Sequence, residues 1–302
     1  MTTRFQGCFR RIRKILTRCV HYCRAREWFF CCIMMLALLI PSYKADAAEL
    51  RVAVAANFLS TLKQLTAEYH KLQNDRIRIT TGSTGGLYAQ IRHGAPFDLF
   101  LSADSRRPEL LEKEGLTLIG SRFTYAKGIL VLWSKQADLV DNRGAVLDQT
   151  AGYLSLPNPV NAPYGEAARQ LLTQRNLWQK LDQSQQIIRS GNVRQTLFQV
   201  ISGAAPMGFI ALSQARHPEI AGKGSLWIPD PSLYDPIIQQ GVVLASTKEP
   251  EAAFRFQRWL QSDQARSLIV ASGYQSGYQA MLVAQVFANS STENQTSLSD
   301  RD

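Results

Sequence analysis

Four short stretches hold the side chains best suited to gripping a ligand: Ala56-Asn57, Ser83-Thr84-Gly85-Gly86, Ala162-Pro163-Tyr164-Gly165 and Gly191-Asn192-Val193. Each follows a β-type apolar run and opens a helical pattern. The first N–H groups of a helix have no intrahelical acceptor and sit at the positive end of its dipole, so a helix start is a natural anion site. Four of them converging on one cleft would hold a small oxyanion without any lysine or arginine. Taken singly, each also has a structural reading. Asn57, Ser83 and Thr84 are good helix caps, and Gly85-Gly86 makes a simple turn. The Tyr164 ring could pack in a core, and Val193 has only a backbone N–H to offer. One polar cap is ordinary, whereas four such turns favour a shared site.

Catalytic chemistry finds little support. The string GSTGG lacks the Gly-x-x-x-x-Gly-Lys-Ser/Thr spacing of a nucleotide phosphate loop, and there is no G-x-S-x-G elbow. Ser83 could serve as a nucleophile, but nothing nearby supplies its base. His70, His93 and His217 are far apart in sequence and lack a metal-ligand pattern, so neither a metal centre nor a cofactor is expected. Asp98 and Asp104 flank the run FDLFLS; Asp104 is expected to cap the next helix and Asp98 to be structural.

The elements that must position these turns alternate. Strands are predicted at 50–55, 76–81 and 97–102, with helices over 58–72, 86–93 and 106–114. The pattern resumes with strands at 128–134, 152–156, 185–189, 207–211, 225–228 and 240–246, and helices over 165–175 and 193–203. A last amphipathic pattern, Phe254, Phe256, Trp259 and Leu260, ends near Gly273. Such alternation marks parallel βαβ units, and ligands of open α/β sheets sit at the carboxyl ends of the strands. Two such lobes would enclose a hinged cleft.

The chain has 302 residues, 45% of them apolar and 19% charged, enough to bury a core without disulfide or metal staples. Its net charge of +10 is concentrated at one end: residues 1–47 carry nine Lys/Arg against two acids, leaving 25 against 22. A remainder near neutrality excludes a basic-patch argument for nucleic acid. All five cysteines, Cys8, Cys19, Cys23, Cys31 and Cys32, precede residue 47, which suits an oxidising compartment for the rest. Basic residues over 4–26, the apolar run Trp28 to Ile40 and the small residues Ala45-Asp46-Ala47 describe a cleaved secretory signal peptide over 1–47. The apolar run is shorter than the ~20 residues needed to span a bilayer. The polar stretch from 289 is expected to be disordered.

A family resemblance rests on AVAANF (53–58), GSTGGLYAQIRHGAPFDLFLSAD (82–104), NAPYGEAA (161–168), GNVRQTL (191–197), APMGFIALS (205–213) and QQGVVLAST (239–247). In order and spacing these resemble the periplasmic molybdate-binding proteins of molybdate ABC transporters, within the type II periplasmic binding proteins. The resemblance covers about 49–275. It implies an α/β, two-lobed fold, each lobe a mostly parallel sheet flanked by helices, with the ligand in the inter-lobe cleft. The implied division is a first lobe of 48–127 with a return segment 240–275, a second lobe of 128–239, and an extension over 276–302. It also implies a monomer that does no chemistry and binds molybdate or tungstate, with no cofactor. A membrane permease with its cytoplasmic ATPase would be the partner.

Carried over motif by motif, the resemblance makes Asn57 a donor through its N–H, side chain or both, and assigns donors to Ser83 and Thr84, with Thr84 the closer match. Tyr164 falls where some relatives supply a tyrosine, and Val193 where a helix-opening valine supplies its N–H. Molybdenum would thus be held only as the oxyanion, by Asn57, Thr84, Tyr164 and Val193. One departure stands out: many members have a tyrosine in a G-x-x-Y string where this chain has Ala211, so the hydroxyl would come from Tyr164 instead. A rigid cage of donors selects by size, because a smaller sulfate leaves donors unpaired at ~1–3 kcal/mol each. Molybdate and tungstate are too alike to separate. The residues also allow a receptor for sulfate or thiosulfate, a periplasmic hydrolase using Ser83 or Tyr164, or a sensor that binds no anion.

Overall fold

A computed structural model describes residues 48–149 and 152–276. The leader expected over 1–47 and the extension expected beyond Ser276 lie outside the described residues. The chain begins with β1 (Glu49–Ala55), α1 (Leu59–Tyr69), β2 (Arg76–Gly82), α2 (Thr84–Arg92), β3 (Leu99–Leu101), α3 (Arg106–Lys113) and β4 (Phe123–Gly128). It continues with β5 (Leu130–Ser134), α4 (Val146–Gln149), β6 (Leu154–Pro157), α5 (Pro163–Gln174), α6 (Trp178–Gln183), β7 (Ile187–Ser190), α7 (Val193–Ile201), β8 (Met207–Ala211), α8 (Leu212–Ala215) and β9 (Ser225–Trp227). After a 3-10 turn at Pro231–Leu233 come β10 (Ile237–Val243), α9 (Pro250–Leu260), α10 (Asp263–Ala271) and β11 (Gln275–Ser276).

Two sheets result, ordered β11-β4-β10-β3-β1-β2 and β7-β6-β8-β5-β9, each the centre of one lobe. Alternation along β1 explains why the first sheet is buried on both faces. Val52 and Val54 pack with Phe58, Leu62 and Phe256, whereas Ala53, on the opposite face, packs with Leu87, Phe100 and Val242. The second core gathers Leu132, Leu156, Leu171 and Phe209, together with the Tyr164 ring.

The sheets are mixed rather than mostly parallel. β1 pairs in parallel with β2 and β3, and β6 with β7 and β8, but β10 runs antiparallel to β3 and β4, and β5 antiparallel to β8 and β9. The run read as one strand over 128–134 is in fact cut at Ile129, whose carbonyl accepts from the Leu212 N–H at 2.9 Å. β4 ends in one sheet and β5 starts in the other. The return crossing enters β10 at Ile237, opposite Gly128.

Opposite β10 the ladder is irregular: Gln239 faces Ala126 and Gln240 faces Thr124, so Tyr125 is an extra residue on β4. Such a bulge re-aims side chains. It lets the Tyr125 hydroxyl reach Gln239 Oε1 at 3.1 Å, although the two residues belong to different ladder positions.

Candidate functional site

The carboxyl ends of β1 and β2 and the N-termini of α2, α5 and α7 meet at a cavity of about 10 Å³ between the lobes, lined by Asn57, Ser83, Thr84, Tyr164, Asn192 and Val193 among others. All five residues singled out in the sequence are brought together there. The space is far below the ~300–1,000 Å³ of pockets for organic ligands. None of its lining residues is charged.

Each turn contributes in its own way. Asn57 precedes α1 but does not cap it; that position is taken by Phe58, which makes no side-chain cap. Ser83 is the cap of α2, its Oγ accepting from the Gly86 N–H at 3.2 Å. Thr84 follows as the first helical residue, and its Oγ1 accepts from the Ala103 N–H at 3.2 Å, leaving the hydroxyl proton as a donor. Asn192 caps α7 by accepting from the N–H groups of Arg194 and Gln195, at 3.0 and 3.1 Å. The Val193 N–H is passed over by that cap. Among the described residues no protein group accepts from the N–H of Asn57, Thr84, Tyr164 or Val193, the condition in which helix starts bind anions.

The Tyr164 ring is packed in the second core at 2% exposure, and its hydroxyl accepts from Gln239 Nε2 at 3.2 Å. Burial, with the neighbouring Tyr274 phenol adding to it, pushes the Tyr164 pKa well above the ordinary value. Tyr125, fully buried, is raised in the same way. These phenols keep their protons and act as donors.

Behind the cavity lies a buried network that sequence reasoning missed. Asn57 Nδ2 donates to Gln239 Oε1 at 2.9 Å and to the Tyr274 hydroxyl at 3.2 Å. Tyr274 in turn donates to the Asn57 carbonyl at 2.8 Å, and Ser213 Oγ lies 2.9 Å from the Tyr274 hydroxyl. Tyr125 donates to the Ser102 carbonyl at 2.8 Å. The one available signal was the pair Gln239-Gln240 inside the apolar run of β10, since a fully buried glutamine must find partners.

The lobes touch along a seam beside the cavity. The Gly85 N–H donates to the Asn161 carbonyl at 2.9 Å, and Arg107 Nη2 donates to the Val160 carbonyl at 2.9 Å. A wider groove of about 730 Å³ opens next to it. Of the charged groups there, Arg107 pairs with Asp104 and Arg169 with Glu166, while Arg189 pairs with Asp182 outside the lining. Ser83, weighed as a nucleophile, has no histidine or carboxylate beside it among the cavity-lining residues. Asp98 is structural, accepting from the Arg51 N–H and the Thr247 hydroxyl. Asp104 receives the Arg107 N–H at the start of α3.

Ala211 is fully buried at the end of β8. Its N–H donates to Gln214 Oε1 at 3.0 Å, and Gln214 Nε2 donates to the Val193 carbonyl at 3.3 Å, which braces the start of α7.

Residues 50–275 match the model of a family described as bacterial extracellular solute-binding protein. The molybdate-binding protein ModA of Azotobacter vinelandii is 42% identical over 231 residues, 76% of this chain and 91% of the relative. That of Rhodobacter capsulatus is 35% identical over 243 residues, 80% of this chain and 92% of the relative. Among solved structures, the periplasmic molybdate-binding protein of Azotobacter vinelandii superposes with a TM-score of 0.73 at 43% identity, covering 75% of this chain and 98% of that one. The sulfate-binding protein SubI of Mycobacterium tuberculosis, at 16% identity and a TM-score of 0.65, shares the fold.

Proposed function

The chain belongs to the bacterial extracellular solute-binding proteins, and from that premise we propose that it is the molybdate receptor of an ABC importer. It works in the periplasm, takes up molybdate and tungstate, and hands them unchanged to a membrane permease coupled to a cytoplasmic ATPase. It acts as a monomer, released from a leader over 1–47. One lobe is formed by 48–127 with 240–275, the other by 128–239.

The observation that carries this reading is the convergence of Asn57, Ser83, Thr84, Tyr164 and Val193, from four turns in two lobes, on one small uncharged cavity. We assign ligand contact to these five. Fixed N–H and O–H donors replace the water around a dianion, and the helix ends add diffuse positive potential. The site offers donors and no carboxylate, so a phosphate that keeps a proton finds no acceptor for it. Binding across the seam favours the closed form, and that differential affinity presents both lobes together to the permease.

Thermal melting of the purified periplasmic form against molybdate, tungstate, sulfate and phosphate tests the assignment. A ligand at 100 times its dissociation constant adds about 2.7 kcal/mol, so molybdate and tungstate are expected to raise the melting temperature and the other two to leave it unchanged. A rise with sulfate alone would make the protein a receptor for a different oxyanion, and no rise with any anion would refute the reading. Replacing Tyr164 by phenylalanine should weaken molybdate binding by about 0.5–3 kcal/mol in titration calorimetry. Unchanged affinity would return Tyr164 to a packing role.

A further inference from the structure

We propose that Arg107 is the latch of the closed lobes, a positioning residue that sets how long a bound oxyanion is kept without touching it; the inference rests on reading the cavity as an oxyanion site. Ala103 and Pro163 line both the small cavity and the wider groove, whereas Arg107 and Val160 line only the groove. Arg107 therefore meets Val160 on the groove side of a wall that the two spaces share. Its Nη2 donates to the Val160 carbonyl at 2.9 Å, and the Gly85 N–H donates to the next carbonyl, that of Asn161, at 2.9 Å. A guanidinium only donates and a carbonyl only accepts, so the direction of the Arg107 bond is fixed.

Both halves of the latch are held in place before they meet. Arg107 Nη1 is paired with the Asp104 carboxylate, which also accepts from the Arg107 N–H at 3.1 Å and from Ser102 Oγ at 2.9 Å. With side chains 14% and 18% exposed, the pair is largely shielded from water, where charge-assisted bonds are stronger than at an open surface. On the other lobe Asn158 builds a tight turn. Its Oδ1 accepts from the Val160 N–H at 3.1 Å, and its carbonyl from the N–H groups of Asn161 and Ala162 at 3.1 and 3.0 Å. Asp104 directly follows Ala103, whose N–H donates to Thr84 Oγ1 at 3.2 Å, so latch and cavity share one backbone segment. Asp104 and Arg107 stand at the same helix start, so their pair stays whole when the lobes part and the bond to Val160 is the one that breaks. The latch thus acts on the closed form alone: it slows opening and leaves capture by the open form to the cavity donors. Asp104 also neutralises the guanidinium, so that Arg107 offers the anion no rival site.

Release and capture rates separate this role from others. Release is measured by chasing radioactive molybdate with excess unlabelled molybdate, capture by rapid mixing, and the ligand-free melting temperature is recorded for each protein. Combining Asp104→Asn with Arg107→Met removes the pair without leaving a lone charge. The double variant should release molybdate about tenfold faster or more, the value of one hydrogen bond from a charged group, while capture changes by about twofold or less. Arg107→Lys keeps the charge but not the planar fork that reaches carboxylate and carbonyl together, and should speed release about threefold or more; it keeps the proposal testable if the double variant fails to fold. Unchanged release would overturn the proposal, and a lower ligand-free melting temperature with unchanged release would make the pair a brace for α3. Affinity lost through slower capture alone would overturn it too, by making Arg107 a guide for the incoming anion. Wild-type protein that binds no molybdate at all would sink the oxyanion reading and this proposal together, whereas wild-type binding with unaltered release in the variants would sink this proposal alone.

Discussion

Replacing Gly85 by leucine is expected to lower molybdate affinity by a factor of about 30 to 10⁴, from the loss of two donors at about 1–3 kcal/mol each. Gly85 sits in the first turn of α2 and forms the seam itself, its N–H bonded to the Asn161 carbonyl at 2.9 Å. A Cβ there would already lie 3.1 Å from Asn161 Cα and from Arg107 Nη2. The branched carbons of leucine would extend further into the opposing backbone, which cannot yield as a flexible side chain does, so the lobes must part. In the proposed site, Tyr164 and Val193, on the second lobe, would then be withdrawn from an anion held by Asn57, Ser83 and Thr84. Calorimetry gives the affinity, and small-angle scattering at saturating molybdate should show a more open particle than wild type. Gly85→Ala, whose methyl needs only a few tenths of an ångström, is the graded control and should lose far less. Wild-type affinity in the leucine variant would mean that this seam does not form in the bound state.

What the sequence made legible follows from which interactions are local. A strand-to-helix turn is encoded in a few consecutive residues, so the candidate turns at Asn57, Ser83-Thr84, Tyr164 and Val193 could be found from polar and small residues at helix starts. The division between Ser83, which caps α2, and Thr84, which opens it, was not legible, because both residue types are good caps. The break at Ile129 was not legible, because GILVLWS is an unbroken apolar run and only the docking of Leu212 on the Ile129 carbonyl separates the two strands. β4 itself escaped notice because Thr124 and Lys127 blur its pattern. The short helices α4 and α6 carry too few residues to show a period. Gln239 was beyond reach for a different reason. Its partners Asn57, Tyr125 and Tyr164 lie 182, 114 and 75 residues away in sequence, and only the crossing of β10 between the lobes brings them to one point. The expectation of mostly parallel sheets failed for the same cause, since the antiparallel pairings belong to the strands near those crossings.

Those crossings make Gly128 the second position where a single methyl group should be felt, and Gly128→Ala is expected to weaken molybdate binding by a factor of about 10 to 100, the value of one strong donor. Gly128 is not among the glycines with positive φ, so its backbone conformation is open to alanine and the cost is purely one of space. The added Cβ would lie 2.3 Å from the Tyr164 hydroxyl oxygen, 2.9 Å from Tyr164 Cζ and 2.8 Å from Gln239 Nε2. All three atoms are buried and already engaged with one another, so the phenol must be pushed off its position in a packed core. Overpacking of this kind costs about 1–3 kcal/mol, which in a chain of this size lowers the melting temperature by about 2–4 °C per kcal/mol. The steric origin gives the prediction a sharp form. Combining Gly128→Ala with Tyr164→Phe removes the atom of closest approach, so the double variant should melt higher than Gly128→Ala alone while binding molybdate no better than Tyr164→Phe. Stability would then be recovered without affinity, which is the behaviour required if Gly128 is kept small to let the Tyr164 hydroxyl pass between the crossing strand and the anion. A double variant no more stable than Gly128→Ala would show that the methyl acts on the backbone of the crossing rather than on the phenol.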